Sequence, residues 1–163
     1  MGIDPGTGRL GFGIIEYTKV ATKFIDGGVI TTDPHTPLAD RLLTIHDDLE
    51  ELLSFHKPEV LAVEKLFFTK NITTAISVSH ARGVVLLLGK KQNCKLYEYT
   101  PNEIKQAVTG YGGADKSQIQ EMVRVQLKLK SIPQPDDAAD ALAVALCCAQ
   151  GIDNPAHSPS NTV

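Results

Sequence analysis

The chain has few cysteines, no long hydrophobic run and no targeting segment, and each absence excludes a class of protein. Only three of its 163 residues are cysteines. Because Cys94, Cys147 and Cys148 are odd in number and lack the spacing of a metal site, we expect buried free thiols in a reducing cytosol. The longest strongly apolar run, residues 84–88, is far too short to span a bilayer. The N-terminus lacks the basic region and apolar segment of a signal peptide, so the sequence predicts a cytoplasmic protein without a membrane segment.

An excess of positive charge is also absent, because 16 Lys and Arg residues face 19 Asp and Glu residues, for a formal net charge of −3. The charges are unevenly distributed, however. Residues 65–130 contain 11 of the basic residues and only 4 of the acidic ones. A basic central third can form a phosphate-binding face even when the whole chain is acidic. The composition therefore leaves a nucleic-acid partner open.

The order of the predicted elements indicates one α/β domain, and no internal repeat is visible. Apolar periodicity and turn residues predict two strands, over residues 11–17 and 24–30, followed by alternating helices and strands. The first of these later elements is a helix that opens at Thr36-Pro37, with proline in the first helical position. Two further strands are predicted over 60–63 and 96–99. Four further helices are predicted over 71–90, from Thr100 to Gly110, from Asp115 to about 129 and from Asp136. We expect a mixed sheet with helices on its faces over residues 1–150 and a disordered tail over 151–163.

Four carboxylates stand beside core-forming sequence, where a lone charge is costly to bury. Asp4 lies at the start of the chain, Glu64 ends the apolar run 60–63, and Asp137 and Asp140 open an apolar helix. Helix capping explains neither Glu64 nor Asp140, which lies a full turn into its helix. A set of hard oxygen ligands suits Mg²⁺ or Mn²⁺. Two such ions can activate a water and stabilise the leaving 3′-oxygen in phosphodiester cleavage.

The choice of acids on the last helix stays open when spacing alone is considered. Asp137 and Asp140 are three residues apart and share one helix face, but Asp136 and Asp140, four apart, share a face as well. Either of the first two acids also suits a helix N-terminus, where it complements the dipole.

A glycine-rich segment, residues 6–11, matches the pattern G-x-G-x-x-G of dinucleotide-binding proteins. That pattern requires a helix to begin within it, whereas residues 12–17 are typical of a strand. The overlapping segment Asp4-Pro5-Gly6-Thr7 also resembles the first phosphate loop of actin-like and sugar-kinase ATPases, but the chain is too short for their two domains. A tight turn with close backbone approach explains the glycines better.

Six stretches in order along the chain carry a more specific resemblance. They are Gly2-Ile3-Asp4-Pro5-Gly6, residues 64–71, Ala81-Arg82-Gly83, residues 101–106, Lys116-Ser117-Gln118 and residues 137–143. In these stretches the chain resembles the RuvC-type Holliday junction resolvases of the RNase H-like superfamily. The resemblance spans residues 2–146 and implies an RNase H-like sheet, with an antiparallel N-terminal meander followed by parallel strands and helices on both faces. Its D-A-A-D-A pattern favours Asp137 over Asp136.

The resemblance also implies the residues of the site. Asp4, Glu64, Asp137 and Asp140 would be catalytic metal ligands, and Mg²⁺, replaceable by Mn²⁺, would bind as two ions. Lys105 and Lys116 would lie near the scissile phosphate, although a solvated lysine is an alternative for Lys116. The resemblance further suggests a set of DNA-binding residues: Lys65, Phe67, Phe68, Lys70, Arg82, Lys105 and Lys116. Within this set, Phe67 is a better candidate than Phe68 for stacking on unpaired bases, and we expect Arg82 to have a more structural role.

The implied function is cleavage of four-way DNA junctions in recombination and repair. A homodimer would nick two strands of like polarity and leave 5′-phosphate and 3′-hydroxyl ends, in partnership with a branch-migration helicase complex. The helix over 71–90, with its apolar later turns, is the candidate dimer surface. Two alternatives remain: a module that binds branched DNA without cutting it, and a related nuclease that acts on RNA or linear DNA.

Overall fold

A computed structural model describes residues 1–66 and 72–153 of the chain. Over these residues the predicted strands and helices are present. In chain order they are β1 (Gly2–Asp4), β2 (Arg9–Tyr17), β3 (Thr22–Thr31), α1 (Leu38–His56), β4 (Val60–Glu64), α2 (Ile72–Lys91), β5 (Lys95–Tyr99), α3 (Pro101–Thr109), α4 (Lys116–Gln126) and α5 (Asp136–Asp153). Among the described helices, none is long and apolar enough to cross a membrane.

The five strands form one mixed sheet in the order β3-β2-β1-β4-β5. Strands β1, β2 and β3 pair antiparallel, as the predicted meander requires. Strand β4 pairs parallel to β1, and β5 pairs parallel to β4. The mixed sheet predicted from the sequence is therefore confirmed.

Helices cover both faces of the sheet, and the alternation of side chains along β4 shows how. Leu61 and Val63 are buried in a core with α1 and α2, whereas Ala62 is buried in a second core with α3, α4 and α5. Because successive residues of a strand point to opposite faces, Glu64 shares the face of Ala62. By the same alternation, Asp4 lies on the face opposite Ile3, which is buried with α1 and α2.

Glycines on β1 and β2 allow α5 to lie directly against the sheet. A Cβ atom added at Gly2 would lie 2.2 Å from the carbonyl oxygen of Ala141, and one added at Gly11 would lie 2.1 Å from that of Asp137. Gly13 faces Leu142 in the same way. The helix contributes small side chains in return, since half of its buried residues are alanines. This glycine strip (Gly2, Gly11 and Gly13) fixes how closely α5 approaches β1 and β2.

The helices α3 and α4 begin as predicted, with side chains that satisfy the free backbone N–H groups of the first turn. The Thr100 side chain accepts a hydrogen bond from the Glu103 N–H, and the Glu103 carboxylate accepts one from the Thr100 N–H. Asp115 and Gln118 make the equivalent reciprocal pair at the start of α4. Gly110 ends α3 in a left-handed conformation with φ of 76°, which glycine adopts at little cost.

Three predicted boundaries were wrong. Pro37 is the N-cap of α1 and not its first helical residue, with an extended ψ of 148°. Helix α4 ends at Gln126, three residues before the predicted end, because the chain turns at Leu127 and takes a positive φ at Lys128. Helix α5 continues to Asp153, so residues 151–153 are helical and not part of a tail.

The close approach of α5 predicts that Gly11→Ala is strongly destabilising. The added methyl group would overlap the Asp137 carbonyl, so the helix would have to move. We expect a loss of at least about 2 kcal/mol, equivalent to a fall in melting temperature of about 4–8 °C, measured by thermal unfolding.

Gly112→Ala is the matched control, because its nearest neighbour, Gln106 Oε1, would be 3.7 Å away. We expect it to change stability by no more than about 0.5 kcal/mol. Equal effects of the two substitutions would contradict the role assigned to the glycine strip.

Candidate active site

Two of the predicted carboxylates lie at the ends of adjacent strands. Asp4 is the last residue of β1 and Glu64 is the last residue of β4. The two strands run parallel, with Ile3 opposite Val63. Asp4 and Glu64 therefore leave neighbouring strands at the same edge, and both point to the face covered by α5.

The other two carboxylates lie in the first turns of α5. Asp137 sits above Gly11 of the glycine strip, and Gly11 is paired with Asp4 in the antiparallel ladder. Asp140 is one turn further along the same helix face. The contact of α5 with the glycine strip thus places these acids over the end of β1.

The electrostatics show that the four carboxylates form one group. The pKa of Asp4 is raised to about 7, mainly by burial and in addition by the nearby charges of Glu64, Asp140 and Asp137. Burial is also the main cause of the raised pKa of Glu64, with a contribution from the Asp140 charge. The pKa of Asp140 is raised mainly by burial as well. Burial and the charges of neighbouring acids therefore make Asp4, Glu64 and Asp140 harder to ionise, and a positive charge placed among them would favour their ionised forms.

Side-chain cations approach this carboxylate cluster from two sides. The Lys116 Nζ atom, at the start of α4, lies 2.9 Å from Asp140 Oδ2 and 2.6 Å from Asp136 Oδ2. The Arg9 guanidinium, at the start of β2, donates to Asp137 Oδ2 at 3.2 Å. Hydrogen bonds to Asp136 and Asp140 raise the pKa of Lys116, which is therefore a permanent cation at neutral pH.

A pocket of about 230 Å³ opens beside the cluster, between α3, α4 and α5. Glu64 and Asp140 line it together with both predicted lysines, Lys105 and Lys116. The charge of Lys105 favours the ionised form of Glu64, which opposes the effect of burial on the Glu64 pKa. The structure thus brings together all six residues that were predicted to be catalytic.

The donor set fits a hard divalent cation, although the side chains are not arranged as ligands as they stand. Within residues 1–66 and 72–153 no three His, Cys, Asp or Glu side chains meet closely enough to hold an ion. Asp137 and Asp140 instead bind Arg9 and Lys116. The coupling between the acids and the near-neutral pKa of Asp4 nevertheless leave buried carboxylate oxygens short of positive charge, which is the chemistry that Mg²⁺ or Mn²⁺ would satisfy.

The predicted DNA-binding residues are less closely grouped. Arg82 on α2 forms a largely buried ion pair with Glu98 of β5, so the structure already gives this side chain a partner within the protein. The Lys65 N–H donates to the Tyr99 carbonyl and extends the pairing of β4 and β5 by one residue. Phe67, Phe68 and Lys70 lie outside the described residues, and their roles stay predictions.

Sequence reasoning missed Arg9. This residue begins β2, and because Asp4 pairs with Gly11 across the turn, Arg9 lies near the end of β1. The antiparallel meander could have suggested this position, since a turn of a few residues returns the chain beside the strand that it leaves. Thr7 anchors the turn between β1 and β2. This residue is buried, and its Oγ1 atom lies 3.1 Å from Ser77 Oγ on α2.

The chain is similar to known proteins in both sequence and fold. Residues 1–148 match the family described as crossover junction endodeoxyribonuclease RuvC. The protein of that description from Petrotoga mobilis is 54% identical over 147 residues, which cover 90% of each chain. The structure of Thermus thermophilus RuvC superposes with a TM-score of 0.87 at 37% identity and covers 93% of each chain.

A second Thermus thermophilus RuvC structure contains a Holliday junction substrate. It superposes with a TM-score of 0.85 at 38% identity and covers 91% of this chain and 90% of the other. The matches in sequence and in structure extend over the sheet, the glycine strip and the helix that carries Asp137 and Asp140. The chain therefore belongs to the RuvC family of crossover junction endodeoxyribonucleases.

Proposed function

We propose that this protein is a divalent-metal-dependent endonuclease that resolves four-way DNA junctions. The observation that carries the proposal is the carboxylate cluster, in which a buried Asp4 with a pKa of about 7 is surrounded by three further acids. The Thermus thermophilus relative, at 38% identity, has a structure with a Holliday junction substrate, and this supports the choice of substrate.

Asp4, Glu64, Asp137 and Asp140 would hold the metal, as two Mg²⁺ ions or Mn²⁺ in their place. When bound, such ions supply an activated water and stabilise the departing 3′-oxygen, which leaves 5′-phosphate and 3′-hydroxyl ends. The chain's own contribution is to bring four carboxylates from two strand ends and one helix into one neighbourhood. Lys116 must move off Asp140, and Arg9 off Asp137, to free the carboxylate oxygens that they bind.

The two lysines of the pocket would bind the DNA backbone at the cut. Lys105 lies within α3 and Lys116 is the first residue of α4, and both side chains line the pocket. Each of these helices begins with a capping box. An ammonium group so placed can bind phosphate oxygens and stabilise charge that develops on them. Residues 65–130 carry 11 Lys and Arg, which supports a wider basic face for the arms of a junction.

A homodimer would provide two such sites, one for each of two strands of like polarity. The support comes from α2, where an apolar stripe is exposed: Ile76 is 51% and Leu87 is 65% accessible. His80 and Gly83, also exposed, lie between them at helical spacing. A second copy packed on this stripe would bury it, and a branch-migration helicase complex would act with the dimer on the junction.

The first prediction from the proposed function concerns catalysis. Asp4→Asn should reduce Mg²⁺-dependent cleavage of a synthetic four-way junction by at least about 100-fold, because one ligand charge is lost. Junction affinity, measured by gel shift in the absence of Mg²⁺, should stay within about twofold of wild type, since the lysines are untouched.

Asp48→Asn is the matched control, because Asp48 is an exposed acid on α1, which packs on the opposite face of the sheet. It should cleave like the wild type.

If the wild type binds the junction without cutting it, the protein is a binding module. If it prefers an RNA–DNA hybrid or linear duplex, a different nuclease function replaces the one proposed.

The second prediction concerns stability in the absence of metal. The pKa of Asp4 in the folded state is raised to about 7 from an ordinary value of 3.8. The stability that the protonated Asp4 carboxyl contributes to the folded state is therefore fully present below about pH 4, and it is lost as the pH rises through about 7. The difference is on the order of 4 kcal/mol. In EDTA at pH 8, Asp4→Asn should therefore melt at a higher temperature than the wild type, and the two should converge near pH 4.

Mg²⁺ provides the complementary measurement. At pH 8 it should raise the melting temperature of the wild type and have a much smaller effect on Asp4→Asn. If Asp4→Asn melted at a lower temperature than the wild type at pH 8 in EDTA, the ionised Asp4 carboxylate would not destabilise the folded protein, and the prediction would be wrong.

The third prediction concerns the dimer. Leu87→Glu should convert the protein to a monomer in sedimentation velocity experiments, because a charge would be buried in the apolar stripe of α2. Its melting temperature at low protein concentration should stay near that of the wild-type monomer. Phe55→Glu is the control, since Phe55 is 80% exposed on α1. A dimer that survives Leu87→Glu, or that is lost in Phe55→Glu, would move the interface elsewhere.

A further inference from the structure

Asp136 is an acid beside the carboxylate cluster that the proposed catalytic set does not include. It is the first residue of α5 and precedes Asp137. Its Oδ2 atom lies 2.6 Å from Lys116 Nζ, and its Oδ1 atom lies 4.0 Å from Arg9 Nη1. Among the described residues, Asp136 is therefore the one that forms ion pairs with both Arg9 and Lys116.

The position of Lys116 explains why a second acid matters. Lys116 is the first residue of α4, directly after the cap Asp115, and its ammonium is shared between Asp136 and Asp140. Without Asp136, Asp140 would be the remaining carboxylate partner of this ammonium. A lysine paired only with Asp140 would compete with any cation that the same carboxylate binds.

A shared ammonium behaves differently. When Asp140 binds a metal ion, like charges repel Lys116, and a long flexible side chain with no other partner would move into solvent. Asp136 gives the ammonium a second site one helical turn away on the same helix. Lys116 then stays at the edge of the pocket that it lines with Glu64 and Lys105.

We propose that Asp136 is a positioning residue, which draws the Lys116 ammonium to the edge of the carboxylate cluster and so leaves Asp140 free to bind a metal ion. This inference rests on the proposed metal-dependent function. It assigns to Asp136 no contact with metal or DNA, and its effect is exerted through Lys116.

The test is a double-mutant cycle with direct Mn²⁺ binding, measured by calorimetry on the full chain without DNA. Asp136→Asn should weaken Mn²⁺ binding about tenfold. In the Lys116→Met background the same substitution should change it by less than about twofold, because the competing ammonium is gone. Asp136→Glu, which keeps the charge, should restore binding to near the wild-type value.

Two measurements separate positioning from a structural role. The Mg²⁺ concentration for half-maximal cleavage should rise in Asp136→Asn by about the same factor as the Mn²⁺ dissociation constant, and the melting temperature in EDTA should not fall in parallel. Glu121→Gln is the matched control, since it removes one acid of an exposed ion pair with Arg124 on α4. It should leave metal binding unchanged.

The outcomes distinguish this inference from the proposed function. An equal effect of Asp136→Asn with and without Lys116 would mean that Asp136 acts only as a negative charge, and the inference would be overturned. No effect in a wild type that binds Mn²⁺ and cuts junctions would overturn it while leaving the function intact. A wild type that binds no Mn²⁺ would overturn both.

Discussion

The contact between α5 and the glycine strip is the constraint on which the rest of the site depends. Three residues without side chains allow the helix backbone to approach β1 and β2 at distances that a methyl group would prevent. The same approach brings Asp137 over Gly11 and therefore beside Asp4, its neighbour in the strand pairing. Packing and electrostatics are linked here, because a looser helix would separate the carboxylates that now hinder one another's ionisation. Stability that comes from a close helix–sheet contact is thus partly offset by the repulsion that this contact creates.

That repulsion is balanced by cations that come from separate elements. Arg9 is supplied by the turn into β2, Lys105 by α3 and Lys116 by α4. Arg9 pairs with Asp137, Lys116 pairs with Asp140, and the charge of Lys105 acts on Glu64, yet the pKa of Asp4 stays raised. Such an arrangement suits the metal binding that we propose, because the ion pairs of Arg9 and Lys116 are partly exposed and cost little to break.

Much of this architecture was accessible from the sequence, for reasons that differ between elements. The capping boxes at Thr100 and Asp115 are local signals, so the starts of α3 and α4 were predicted correctly. Asp4 and Glu64 were recognisable because each carboxylate stands beside core-forming sequence. The partners of Lys116 and Arg9 were not predictable, since they depend on how α4 and β2 are packed beside α5, which no local pattern specifies. Pro37 was misplaced by one position because proline suits both the N-cap and the first turn of a helix.

The placement of α5 at the end of the described chain affects when the site can form during synthesis. Asp4 leaves the ribosome well before Asp137 and Asp140, which emerge only after the whole sheet has been made. Until then the glycine strip has no helix against it, and half of the carboxylate cluster is missing. A nascent chain therefore has its basic segment, residues 65–130, before the carboxylate cluster is complete. Because the last helix supplies half of that cluster, the site can assemble only after nearly the whole described chain has been made.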